Sequence, residues 1–186
     1  MKSIENAASD PVAGEQELVR QAQAGDENAF AQLYDAYLAR IYRYIYFRVA
    51  DDQIAEDVTS QVFLKAWENL ERYRISSSPF VAWLYRIAHN AVIDHYRTRR
   101  SMVGLEEIEP AAGSAESPDE QIDRQFESHE LRLALQRLTG EQQQVLILKF
   151  IAGLSTPEIA RQMGKRQGAI RALQMRALQS LAKTMG

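Results

Sequence analysis

The chain has 186 residues, a formal net charge of -3 and no cysteine. That length holds one ordinary domain or two small ones, and the missing thiols exclude a disulfide framework, a cysteine zinc site and a thiol nucleophile. Apolar residues make up 46% of the chain, enough for packed cores and too many for a wholly disordered chain, yet no apolar run approaches the roughly 20 residues that span a bilayer.

The stretch Met1–Glu17 is polar and acidic and does not read as a signal peptide. A cysteine-free chain without a spanning segment fits a reducing, cytoplasmic location. The net charge conceals an asymmetry. From Leu131 to Gly186 nine basic residues face two acids, whereas Ser101 to Glu130 holds nine acids and one arginine. Local potential, not the sum, governs binding to nucleic acid. Residues 101–120, with Gly104, Pro110, Gly113 and Pro118, have the composition of a flexible connection. The expected organisation is therefore a disordered tail over 1–14, a first block over 15–100, an acidic linker over 101–127 and a second block over 128–186. No alternating strand pattern occurs, so both blocks read as all-α.

In the first block, Leu18, Ala22, Phe30, Leu33, Tyr34 and Tyr37 fall at helical spacing, and an aromatic-rich helix follows from Ile41 to Phe47. Asp51 and Asp52 open a third helix with Val58, Val62, Phe63, Ala66, Trp67 and Leu70 on one face, acids being favoured in a first turn by the helix dipole. Ser78-Pro79 combines an N-cap with proline at the first helical position. The helix it starts has Trp83, Leu84, Ile87, Ala88, Ala91 and Val92 inward, with Arg86, Asn90, Asp94, Arg97 and Arg100 among its polar residues.

The second block is punctuated by two capping boxes, Thr139 to Gln142 and Ser155 to Glu158, with Leu154 placed to staple to Ile159. Gly153 and Gly164 stand where helices should stop. The predicted helices cover about 140–152, 156–163 and 167 onward. A short helix, a glycine turn and a second helix with a basic face form a helix-turn-helix. Gln167, Arg171 and Gln174 face outward on the second helix, and Arg and Gln suit guanine and adenine edges in the major groove. Lys165, Arg166 and Arg176 flank them and suit phosphates. A solvated basic helix in an ordinary bundle would show the same pattern.

Between Ser78 and Arg100, aromatics (Phe80, Trp83, Tyr85, Tyr96) alternate with cations and amides, a mixture that grips single-stranded DNA. Here too the pattern has a plain structural reading: Trp83 lies on the apolar stripe, and the terminal arginines complement the helix dipole.

Three segments in order carry a family resemblance. They are Ala55–Trp67 (AEDVTSQVFLKAW), Phe80–Arg97 (FVAWLYRIAHNAVIDHYR) and Leu154–Ala160 (LSTPEIA). Together they resemble the extracytoplasmic-function (ECF) group of bacterial RNA polymerase sigma factors, over nearly everything from Leu18 to Leu181. The resemblance implies a two-domain DNA-binding subunit, not an enzyme, that takes core RNA polymerase to promoters and needs no cofactor. It implies that Glu56, Asp57, Gln61, Phe63 and Leu64 dock on the polymerase clamp. It further implies that the loop from Arg74 through Ser77 to Phe80 captures a flipped base, while Arg86, Asn90, Asp94, Arg97 and Arg100 hold the melted minus-ten element. The helix-turn-helix set, Lys165, Arg166, Gln167, Arg171, Gln174 and Arg176, then reads the minus-thirty-five duplex. An anti-sigma protein is a common further partner in this family. Leu173-Gln174 reverses the family's usual basic-apolar order, which leaves open how the recognition helix is turned.

Two rivals belong to other classes. Asp51-Asp52 and Glu56-Asp57 superficially resemble the aspartate-rich magnesium motif of prenyl and terpene synthases, but the first block has no second acidic motif at suitable spacing. His89, His95 and His129 offer no pair three or four apart for zinc. A signal-responsive helix-turn-helix regulator shares the last third of the chain and leaves the Arg/Asn/Asp helix behind an aromatic loop without a purpose.

Overall fold

A computed structural model describes residues 14–75, 79–103 and 129–185, with side chains described as far as Arg99 in the middle stretch. All regular structure among them is helical. The first unit comprises α1 (Glu15–Gln23), α2 (Glu27–Tyr46), α3 (Asp52–Glu68), a 3-10 turn (Leu70–Arg72) and α4 (Phe80–Val103). The second comprises α5 (129–136), α6 (Gly140–Leu146), a π-helical segment (Ile147–Ile151), α7 (Thr156–Met163) and α8 (Gln167–Met185).

The helical spacing from Leu18 to Tyr37 is broken in the structure, and the two later aromatic stretches are fused. Gly25 takes a left-handed φ of 93°, and the Asp26 carboxylate then caps α2 by accepting from Asn28 and Ala29 N–H. That local chemistry ends α1 and starts a single 20-residue helix carrying both Phe30–Tyr37 and Ile41–Tyr46. Asp51 caps α3 as expected, accepting from Ile54 N–H at 3.0 Å. Three helices, α2, α3 and α4, pack on one another, with α1 laid on α2. Leu33, Tyr37, Ile41, Tyr44, Val62, Leu84 and Ala88 are fully buried between them.

One buried acid positions the start of α4. The Glu15 carboxylate accepts from the Tyr37 hydroxyl and, at 3.2 Å, from the Phe80 N–H. An anion at a helix N-terminus meets both an unpaired N–H and the positive end of the dipole. Glu15 is only 6% exposed, so the two bonds are what make its burial tolerable.

In the second unit both capping boxes form, at Thr139 with Gln142 and at Ser155 with Glu158. Gly164 adopts the left-handed conformation (φ 63°) that turns the chain from α7 into α8. The helix expected over 140–152 does not keep one geometry. After Leu146 it widens into a π turn, with Ala152 N–H donating to Ile147 O at 2.8 Å. The wider turn keeps Ile147, Leu148, Ala152 and Leu154 inside while leaving Phe150 61% exposed.

The units touch along two edges: α2 packs on the π segment, and α4 on α7. Replacing Glu15 by alanine should lower stability by about 1–3 kcal/mol, the cost of stranding a buried hydrogen-bonding group. The expected readout is a lower urea midpoint at unchanged slope; an unmoved midpoint would contradict the anchoring role.

Candidate nucleic-acid interface

Side-chain period decides which residues of α3 face outward. Glu56, Asp57, Ser60, Gln61 and Leu64 recur at three and four residues and are all exposed. Leu64 is 58% exposed, an apolar centre in an acidic and amide surround. Phe63, expected on the same surface, is instead buried, with its ring edge-on to Tyr34 at 4.7 Å between centroids. It supports the surface from behind.

On α4, Arg86, Asn90, Ile93, Asp94 and Arg97 form one stripe by the same spacing, and Arg86, Asn90, Ile93 and Arg97 are exposed. Asp94 is held by Arg97 at 3.2 Å and more loosely by Lys65 of α3 at 3.9 Å. A free carboxylate would repel a phosphate; this one is paired with Arg97. Phe80 is 1% exposed, enclosed by Tyr37, Tyr73 and Trp83 at centroid distances of 5.3–5.8 Å. It too serves from inside the core. Trp83 is half-buried and packs on Tyr73 at 5.0 Å. Both line a cleft of about 340 Å³ together with Arg72, Arg74 and Arg86. Sequence reasoning passed over Arg72 and Tyr73, for which the clue was the run Arg72-Tyr73-Arg74, an aromatic between two cations; Trp83, read as core, does pack against it while also lining the cleft. Ser77 and the side chain of Arg100 lie outside the described residues.

The back of α4 is fixed to the end of α2. Arg48, 6% exposed, reaches the Tyr44 hydroxyl (3.2 Å) and His89 Nδ1 (3.3 Å), and Tyr96 donates to the Arg48 carbonyl (3.1 Å). Burial, with the Arg48 guanidinium beside it, pushes the His89 pKa down to about 4. The neutral ring then accepts at Nδ1 from Arg48.

In the helix-turn-helix, Arg166, Gln167, Arg171 and Arg176 are exposed. Lys165 is drawn back onto α6 by an ion pair with Glu141 at 2.8 Å. Gln174, expected to face outward, is half-buried, and its Nε2 is enclosed without a hydrogen-bond partner. Ile170, Leu173 and Ala177 form the inward stripe of α8, and Gln174 sits at its edge. The outward face is therefore centred on Gln167 and Arg171, with Met175 beyond (65% exposed).

Among the described residues no cluster of three or more His, Asp or Glu could hold a metal ion, and no helix is long and apolar enough to cross a membrane.

Family comparisons agree with this division. The model for Sigma-70 region 2 matches residues 33–102, and that for Sigma-70, region 4 matches residues 128–181. The two regions together define a sigma factor, the subunit that binds core RNA polymerase and DNA and leaves RNA synthesis to the polymerase. The ECF RNA polymerase sigma factor BldN of Streptomyces coelicolor is 40% identical over 181 residues, covering 96% of this chain and 69% of its own. SigD of Mycobacterium tuberculosis, another ECF sigma factor, is 35% identical over 170 residues, covering 88% and 80%. The solved structure of CnrH in complex with the cytosolic domain of CnrY is similar at a TM-score of 0.70 and 26% identity, over 90% of this chain and 94% of that one. The chain belongs to the ECF family of RNA polymerase sigma factors: it directs the polymerase to promoters and starts transcription there. Neither rival reading carries a region 2, and both fall away.

The His89 ring yields a pH prediction. Its folded-state pKa of about 4 lies below the ordinary 6.5, so its contribution to stability is complete above pH 6.5 and is lost as pH falls towards 4. His89→Gln keeps an acceptor for Arg48 without the titration. Melting temperature should therefore fall more steeply between pH 6.5 and 4 in the wild type than in the variant; parallel profiles would refute the assignment.

Proposed function

We propose that the work is divided between the two units. Residues 15–100 dock on the polymerase clamp and hold the melted minus-ten strand, residues 128–186 read the minus-thirty-five duplex, and residues 101–127 are the tether, with 1–14 as a tail. The observation that carries this reading is the pairing of two outward faces on one core. The α3 face of Glu56, Asp57, Gln61 and Leu64 suits a protein surface. The α4 stripe of Arg86, Asn90 and Arg97, beside the Trp83–Tyr73 aromatics, suits bases and phosphates. Arg74 at the cleft belongs to the same strand path.

On α8, Gln167 and Arg171 are placed to contact base edges and Arg166 and Arg176 phosphates. Tethering two modest readers to one polymerase raises their effective concentration without new contacts. Capturing flipped bases offsets an unstacking cost of a few kcal/mol, about the scale seen in base-flipping enzymes. The reading includes a cytoplasmic location, a stress or envelope-response regulon, and control by an anti-sigma protein. Support for that last partner comes from CnrH, whose structure was solved in complex with the cytosolic domain of a second protein, CnrY.

Asp57→Lys should abolish co-elution with core polymerase while leaving the far-ultraviolet circular dichroism unchanged; retained co-elution rejects the docking face. Arg171→Ala should weaken minus-thirty-five discrimination by about 1–3 kcal/mol, the usual worth of a base-reading arginine, without changing polymerase affinity. Equal loss of both would count against that role.

A further inference from the structure

The cleft that Tyr73 and Trp83 line gathers cations from separate elements. Arg72 and Arg74 come from the turn after α3, Arg86 from α4 and Arg161 from α7. All four are exposed, and none has an ion-pair partner among the described residues. An acid, Glu158, also lines the cleft, and its carboxylate accepts from the Ser155 N–H and hydroxyl at the start of α7. Four guanidinium groups against one engaged carboxylate leave the cleft strongly positive. Like charges repel until an anion arrives, and the planar fork of arginine matches phosphate oxygens two at a time.

The rest of the lining is built to hold a flat ring. Trp83 is fixed by Tyr73 and Phe80 at centroid distances of 5.0 and 5.4 Å, and an aromatic side chain already fixed by its neighbours loses little freedom when a base stacks on it. The α7 side is fixed as well. With its amide turned so that donors meet acceptors, Gln162 donates to Ala82 O (3.2 Å) and accepts from Arg86 N–H (2.9 Å) of α4. That contact keeps its neighbour Arg161 at the cleft. The volume of about 340 Å³ lies near the lower end of the roughly 300–1,000 Å³ range of small-molecule sites, which suits one compact ligand.

The geometry points to a binding site for a free nucleoside triphosphate, its base stacked on Trp83 and its phosphates taken by Arg72, Arg74, Arg86 and Arg161. A compact polyanion suits this arrangement better than a strand does. The cations reach one cleft from three elements, whereas the phosphates of a strand are spread along a line. Arg161 has no part in the strand path proposed above, and so it is the residue that tells the two ligands apart. Arg74, Trp83 and Arg86 serve both. On that earlier reading, a bound nucleotide and a melted strand exclude each other.

ATP is the probe, added to the full-length chain without polymerase. The chain has two tryptophans, so Trp67→Phe leaves Trp83 as the sole indole and its fluorescence reports stacking directly. ATP should quench that fluorescence saturably, and inorganic tripolyphosphate should bind more weakly, relieving the quench without causing one. Arg161→Ala should weaken ATP binding on the order of tenfold, the effect of losing one charged hydrogen bond, while promoter-specific transcription with core polymerase stays at the parent's level. Arg72→Ala should weaken ATP binding similarly, and it carries the test if Arg161→Ala loses helical content. Absence of saturable quenching, quenching that neither variant weakens, or tripolyphosphate binding as tight as that of ATP would overturn the site. If that happens while the chain still yields promoter-specific transcript, the nucleotide site alone fails; absence of transcript instead counts against the functional reading.

Discussion

A chain that leaves a helix inside a protein must find partners for the carbonyls that follow, and here the segment just past α2 is met by α4, α5 and α6. Tyr96 of α4 takes the Arg48 carbonyl, while Arg132, Gln136 and Gln143 take those of Phe47 and Val49. Arg48 itself turns inward to Tyr44 and His89. One short segment therefore fixes the back of α4 in region 2 and receives the first helix of region 4. The two cations at this segment, Arg48 and Arg132, are both buried, and each keeps one nitrogen, Arg48 Nε and Arg132 Nη2, without a hydrogen-bond partner among the described residues.

The outward faces are shaped from within by the same logic. Glu15 sets the first turn of α4 by bonding the Phe80 N–H, and Phe80 in turn packs beneath Tyr73 and Trp83. Asp94 orients Arg97, and Glu141 restrains Lys165. Such contacts limit the freedom of cations that would otherwise sample many rotamers. The exposed side chains and those that hold them from within form two populations, interleaved along the same helices.

Much of this was legible in the sequence, and the boundary of legibility is physical. Capping boxes at Thr139 and Ser155, the Asp51 cap and the Gly164 turn were all readable because their chemistry spans four residues. The break at Gly25-Asp26 was equally local, yet the apolar spacing runs across it and hid it. A π turn at Ile147–Ile151 escapes any argument from a 3.6-residue period. Phe63 and Phe80 were assigned to surfaces by motif position and Gln174 by helical spacing, and the structure shows that packing claims the first two and partly encloses the third. Contacts such as Arg132 with Val49, 83 residues apart, leave no periodic trace in a single sequence.

On the proposed division of work, two readers held by one polymerase and joined by a chain of fixed length must be sensitive to the distance between their targets. The most direct test is the yield of promoter-specific transcript, with purified core polymerase and this chain, on templates whose two elements are moved apart or together one base pair at a time. A sharp optimum is expected, with strong loss when about half a helical turn (roughly five base pairs) is inserted, because the second element then faces away. Yield that ignores the spacing would contradict the account, since one unit would then be doing all the recognition.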